Sequence, residues 1–104
     1  MRINDYSGTP PLFQGTKCVE VDFTDVGEYS ESASGTTGYF DVYEELNKDF
    51  AYIHLENAGK LDVVFAEDDT EVLFPFQAGT TEHKIKRIYY HVDNTVDKFY
   101  VVYW

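Results

Sequence analysis

At 104 residues the chain is the size of one domain, with room for a single core of modest volume. It carries 8 basic against 19 acidic residues, a formal charge of −11, and that field repels nucleic-acid phosphates and anionic membrane surfaces. Aromatic residues make up 17% of it, which argues against a disordered acidic chain. Val, Tyr and Phe abound where Leu is scarce, the vocabulary of half-buried strands.

Residues 1–16 are polar, show no period and contain Pro10-Pro11, which forces extended backbone and withholds two successive donors. They read as an arm along a surface, ahead of a single domain over 17–104. Within the arm Pro11, Leu12 and Phe13 offer an apolar anchor, to the chain's own domain or to a neighbour. The opening "MRINDYSGTPPLF" has no apolar leader segment, and no run reaches the ~18 apolar residues of a membrane span. A chain made in a cytoplasm and keeping its N-terminus is expected.

"KCVEVDF" alternates, placing Val19, Val21 and Phe23 on a core face. Its Cys18 is the sole cysteine, so no intrachain disulfide forms, and with only Lys17 beside it the thiol reads as a small strand side chain. Residues 24–38 are a Ser/Thr/Gly loop, long enough to suggest function or mobility. "YFDVYEEL" continues the alternation with Phe40 and Val42, although a helical turn is expected around "YEELNKD". In "FAYIHLEN" Ala51, Ile53 and Leu55 share a face; in "LDVVFA" Leu61, Val63 and Phe65 do; in "EVLFPF" Val72, Phe74 and Phe76 do. Pro75 marks an edge strand or a strand end. "QAGTT" is a turn, "HKIKRIYYHV" a strand, "DNTVD" a hairpin turn and "KFYVVYW" the last strand. Seven strands with turn signals about every 8 to 12 residues predict an all-β antiparallel sandwich, jelly-roll or immunoglobulin-like.

Motifs with catalytic mechanics are lacking: there is no nucleophile elbow, phosphate-cradling Gly loop or Ser/His/acid set. No enzyme activity and no cofactor are assigned. His54 with Glu56, and His91 with Asp93, each point two ligand types to one strand face, but a zinc site needs three or four ligands, so no metal is assigned. Glu67, Asp68, Asp69 and Glu71 crowd one turn, as calcium sites and plain solvated hairpins both do. Lys84, Lys86 and Arg87 form the basic cluster, placed either to meet an anionic partner or to answer acid on neighbouring strands. The aromatics Tyr39, Tyr43, Phe50, Tyr52, Tyr89, Tyr100 and Trp104 fall opposite the core face or out of phase with it. Left exposed they would form an apolar patch that marks an interface. The bare terminus at Trp104 is therefore expected to be covered, by a neighbouring strand or by another subunit.

From residue 50 onward, "HLENAGKLDVVFA", "LFPFQAGT", "IKRIYYHV" and the terminal "KFYVVYW" resemble small accessory structural proteins of tailed-bacteriophage virions, of the head-decoration and head-fibre type. The likeness covers about half of the sequence. It implies a non-enzymatic β-sandwich that oligomerises, often as a trimer, and binds the major capsid protein or another virion protein. It also implies a protein made in the bacterial host and resident in the virion, and the acidic field argues against nucleic acid or membrane as partner. Pro11, Leu12, Phe13, Tyr100 and Trp104 are the candidate contacts. A monomeric carbohydrate- or protein-binding module and an acidic inhibitor of a host nucleic-acid-binding enzyme are the alternatives.

Overall fold

The computed structural model describes residues 2–6, 17–24, 38–91 and 93–104. Among them are nine strands: β1 (Arg2–Tyr6), β2 (Lys17–Asp22), β3 (Tyr39–Asp41), β4 (Tyr52–Leu55), β5 (Gly59–Phe65), β6 (Glu71–Phe76), β7 (Gly79–Thr80), β8 (Ile85–Tyr89) and β9 (Lys98–Tyr103). One short helix, α1 (Val42–Leu46), joins β3 to β4. The strands form two antiparallel sheets, ordered β1-β2-β9-β4-β7 and β3-β8-β5-β6.

The pairing is nested. The β5–β6 hairpin lies innermost, then come β4–β7, β3–β8 and β2–β9, and successive pairs alternate between the sheets. That order is the jelly roll, so it selects between the two sandwich types that strand spacing alone allowed. The alternating positions meet between the sheets. Val19, Val21, Ile53, Leu55, Phe99 and Val101 face Phe40, Leu61, Val63, Ile85 and Ile88 across the core. Phe65, Val72 and Phe74 pack on its margin.

Several elements depart from expectation for local reasons. Arg2–Tyr6, expected in a surface arm, pairs with Cys18 to Asp22 of β2 as the edge strand of its sheet, with Ile3 packed on the core. Val42 does not prolong a strand. Asp41, extended at φ −104°, accepts the Glu44 N–H at 3.0 Å and starts α1, and Glu44 and Glu45 in the first turn suit the helix dipole. The helix stops at Asn47, left-handed at φ 56°.

"QAGTT" does more than turn, since Gly79 and Thr80 pair with Leu55 and His54 at the sheet edge. "DNTVD" carries the chain from one sheet to the other instead of closing a hairpin. It runs beside β5, where the Thr95 N–H donates to Lys60 O (3.0 Å) and Asn94 Oδ1 accepts the Asp62 N–H (2.8 Å). The approach is close enough that a Cβ on Gly59 would lie 2.3 Å from Val96 Cγ2. Pro75 sits in β6, an edge strand, as its missing donor requires. The terminal strand β9 lies between β2 and β4, so its backbone is paired on both sides within its own sheet, while Trp104 beyond it stays exposed.

Candidate interaction surface

Strands β3, β5, β7 and β9 all run toward one end of the sandwich, where Ala51 and Ile85 exchange two backbone hydrogen bonds of 2.9 Å between the sheets. α1, the 66–70 turn, the 81–84 connection and Trp104 therefore share this end. The two most exposed large apolar side chains among the described residues, Tyr43 (66%) and Trp104 (46%), are both here.

Register builds an aromatic group around Trp104. Tyr52 lies opposite Val102, so the next outward positions on that face bring Phe50 toward Trp104. The Trp104 ring centre is 4.7 Å from that of Phe50 and 6.4 Å from that of Tyr52, and Phe50 meets Tyr52 edge-on at 5.8 Å. Two ammonium groups sit over these rings, Lys48 Nζ 5.8 Å from Trp104 and Lys84 Nζ 4.8 Å from Phe50. Phe65, Phe74 and His83 make a second ring triad nearby, with centres 5.2, 5.3 and 5.0 Å apart. Exposed carboxylates border the whole end: Glu44, Glu45, Asp49, Glu67, Asp68 and Glu82.

A polar network anchors α1 to this end. Arg87 Nε donates to Asp41 Oδ2 at 2.7 Å and Arg87 NH1 to the Tyr89 hydroxyl at 3.0 Å. These bonds, first to Tyr89 and then to Asp41, raise the guanidinium pKa further above its ordinary value, so Arg87 is permanently charged. Tyr89, expected among surplus surface aromatics, is 2% exposed beneath this network.

The predicted contacts are not gathered into one patch. Tyr100 lies in a row that crosses the outer face of the five-stranded sheet through Asn4, Glu20, Tyr100, His54 and Thr80. Its hydroxyl reaches Glu56 Oε1 at 3.5 Å and its ring lies 6.1 Å from His54. Four positions separate it from Trp104 along the strand, about 13 Å at strand rise. Pro11, Leu12 and Phe13 lie outside the described residues, although Tyr6 and Lys17, which bracket 7–16 in the chain, are both at the Trp104 end. Compared with protein-family models, curated proteins and solved structures, the chain matches none.

The remaining candidates resolve into local structure. Lys86 pairs with Asp69, Arg87 with Asp41, and Lys84 covers Phe50, so the basic cluster answers its own neighbours. His54 Nδ1 is within 2.8 Å of Thr80 Oγ1, and His91 Nδ1 accepts the Asp93 N–H at 3.0 Å. Among the described residues no three His, Cys, Asp or Glu side chains are grouped as metal ligands would be. The acidic turn divides: Asp68 accepts the Thr70 N–H, Asp69 holds Lys86, and Glu71 turns toward Asp62.

Cys18 is buried beside Val102, and desolvation pushes its thiol up to about 11. Near pH 7.5 the native thiol should react with iodoacetamide at least ~10²-fold more slowly than the unfolded chain, because the thiolate is the attacking species. Equal rates in the presence and absence of urea would show that it is open.

Proposed function

We propose that this chain is a non-enzymatic structural protein of a tailed-phage virion that docks its Trp104 end onto a capsid or tail shell, decorating or cementing it. The observation that carries the reading is the exposed Trp104 packed on the half-buried Phe50 and Tyr52, with the exposed Tyr43 at the same end, within a border of carboxylates. Interfaces concentrate Tyr and Trp at their centre and keep a polar rim, and such residues carry most of the binding energy. Jelly rolls recur in viral capsid and lectin domains, which fits the reading, though a fold by itself assigns no activity. The acidic border calls for a basic rim on the partner and makes association rate fall with salt. The resemblance of the second half adds a homo-oligomer, a trimer by preference, as the docking form.

Cosedimentation with purified phage shells tests this directly. The double variant Tyr43→Ala, Trp104→Ala should keep the wild-type melting temperature within a few degrees, because both rings lie outside the buried core, yet bind at least ~30-fold more weakly. Unchanged binding by that variant would remove the docking end from the proposal. Light scattering behind size exclusion separately reads the oligomer.

Trp104 also favours a second reading, a carbohydrate-binding module, because an exposed indole can stack on a sugar ring. The neighbouring rings lie at 44°, 53° and 80° to one another, not in one plane, which suits a protein knob better than a flat pyranose. Trp104 is the chain's sole tryptophan, so its fluorescence reports this place alone during sugar titrations. A saturable shift with a sugar would favour the module.

A further inference from the structure

Asp62 is 3% exposed although it faces away from the sandwich core. It stands on β5 opposite Leu73, while Glu71 at the start of β6 stands opposite Val64, so the two acids are diagonal neighbours on one face. The two carboxyls are close enough that Glu71 disfavours charge on Asp62. Glu71 Oε2 is buried and meets no hydrogen-bond partner among the described residues. Two carboxylates can only accept, so this pair can be bonded only if a proton lies between them.

The surroundings offer no cation in its place. On β8, Tyr89 stands opposite Asp62 and Arg87 opposite Val64, and Arg87 is committed to Asp41 and Tyr89. Lys86 on the same strand is committed to Asp69. Lys60 shares the Asp62 face of β5 but is exposed beyond the pair, and Pro75 is its β6 neighbour. From the β8–β9 crossover Asn94 Oδ1 takes the Asp62 backbone N–H, while Asp93 and Asp97 are exposed acids. No Lys, Arg or His of the described residues is ion-paired with either carboxyl.

We propose that Asp62 and Glu71 form a proton clasp, one shared proton fastening the edge strand β6 to β5, whose loss above neutral pH loosens β6 and the 66–70 turn that precedes it. Burial first, then the bond to Glu71, then the Glu71 charge push Asp62 up to about 8, in line with the geometry. An unfolded Asp gives up its proton near pH 4 (about 3.9). Between the two values the folded chain holds one proton more than the unfolded chain. The clasp's stabilisation is therefore complete below pH 4, declines as pH rises, and is gone above about 8. Across that window the unfolding constant rises by up to about tenfold per pH unit from this group alone. The 66–70 turn carries Glu67 and Asp68 of the acidic border, so the same proton would tune that border if the docking proposal holds.

Urea unfolding of the full chain from pH 5 to pH 9 tests the clasp, wild type against Asp62→Asn and Glu71→Gln. Each amide keeps a donor between the strands without a proton to lose. The ratio of wild-type to variant unfolding constants should climb at least ~30-fold between pH 5 and pH 8. A ratio constant within about threefold would overturn the proposal, since the acids outside the pair are common to all three chains. Should a variant fail to fold, carboxyl ¹³C NMR of the wild type decides alone. A midpoint near 8 for Asp62 supports the clasp, and one in the ordinary carboxylate range ends it. None of these readings involves a docking partner, so failure of the virion proposal would leave them unchanged.

Discussion

Phe23→Ala is expected to lower stability by about 3–5 kcal/mol, the range for removing a fully buried ring. Phe23 is 0% exposed and its ring centre lies 5.4 Å from those of both Tyr90 and Phe99. Tyr90 follows β8 in one sheet and Phe99 belongs to β9 in the other, so the ring ties the two sheets together. The core it belongs to is rich in Val and Ile, whose stiff side chains cannot collapse far into the space. A domain of this size has about 5–15 kcal/mol in total, so the variant should melt roughly 15–30 °C lower or fail to fold at 37 °C. Phe23→Leu keeps most of the volume and should lose much less. A urea midpoint for Phe23→Ala within ~1 kcal/mol of wild type would mean that the sheets are not joined through this ring.

Phe23 was legible from alternation alone, as were Val19, Val21, Ala51, Ile53, Leu55, Leu61 and Val63, all now in the core. Period two reports which side of a strand faces inward, and it does so without knowledge of its neighbours. It is silent on which strands are neighbours. The nested pairing depends on contacts far apart in sequence, such as Lys17 with Tyr103, and no local pattern encodes those. The alternation also hid the buried outer faces. Asp62, Val64, Val102 and Cys18 occupy the outward phase and are nevertheless buried. At Val42 the helix signal was present in the capping order Asp41 to Glu44 but competed with a strand-like run of apolar residues.

The candidate surface was legible in kind and not in place. Aromatics in excess of what a small core takes were countable, and Tyr43 and Trp104 are indeed exposed. Which of them meet was decided by register. Tyr100 and Trp104 share a strand face yet belong to different neighbourhoods, whereas Phe50, just ahead of β4 and far earlier in the chain, reaches Trp104 through the pairing of Tyr52 with Val102. Lys48 was not singled out at all; a cation next to aromatics is visible only once the rings are placed. The Asp62–Glu71 pair was likewise hidden, because Glu71 looked like one more member of an acidic turn.

Asp41 joins the fold to that surface, and its two oxygens can be separated by substitution. Oδ1 caps α1 through the Glu44 N–H and Oδ2 receives Arg87 Nε. Asp41→Ala removes both and is expected to cost about 2–3 kcal/mol: ~1 for the cap, and the remainder for a charge pair whose Arg87 side chain is 37% exposed and therefore partly screened. Asp41→Asn keeps a good capping oxygen and loses the charge, so it should cost about 1–2 kcal/mol. The difference between the two isolates the cap. A five-residue helix has no stability of its own, so Asp41→Ala should also release Tyr43, and weaken the proposed shell binding, while leaving Trp104 fluorescence unchanged. Arg87→Met, alone and combined with Asp41→Ala, completes a double-mutant cycle read by urea unfolding. A coupling of about 1 kcal/mol or more is expected for a bond of this length. Strict additivity would assign Arg87 to Tyr89 alone, and equal losses for Asp41→Ala and Asp41→Asn would leave α1 held by packing without its cap.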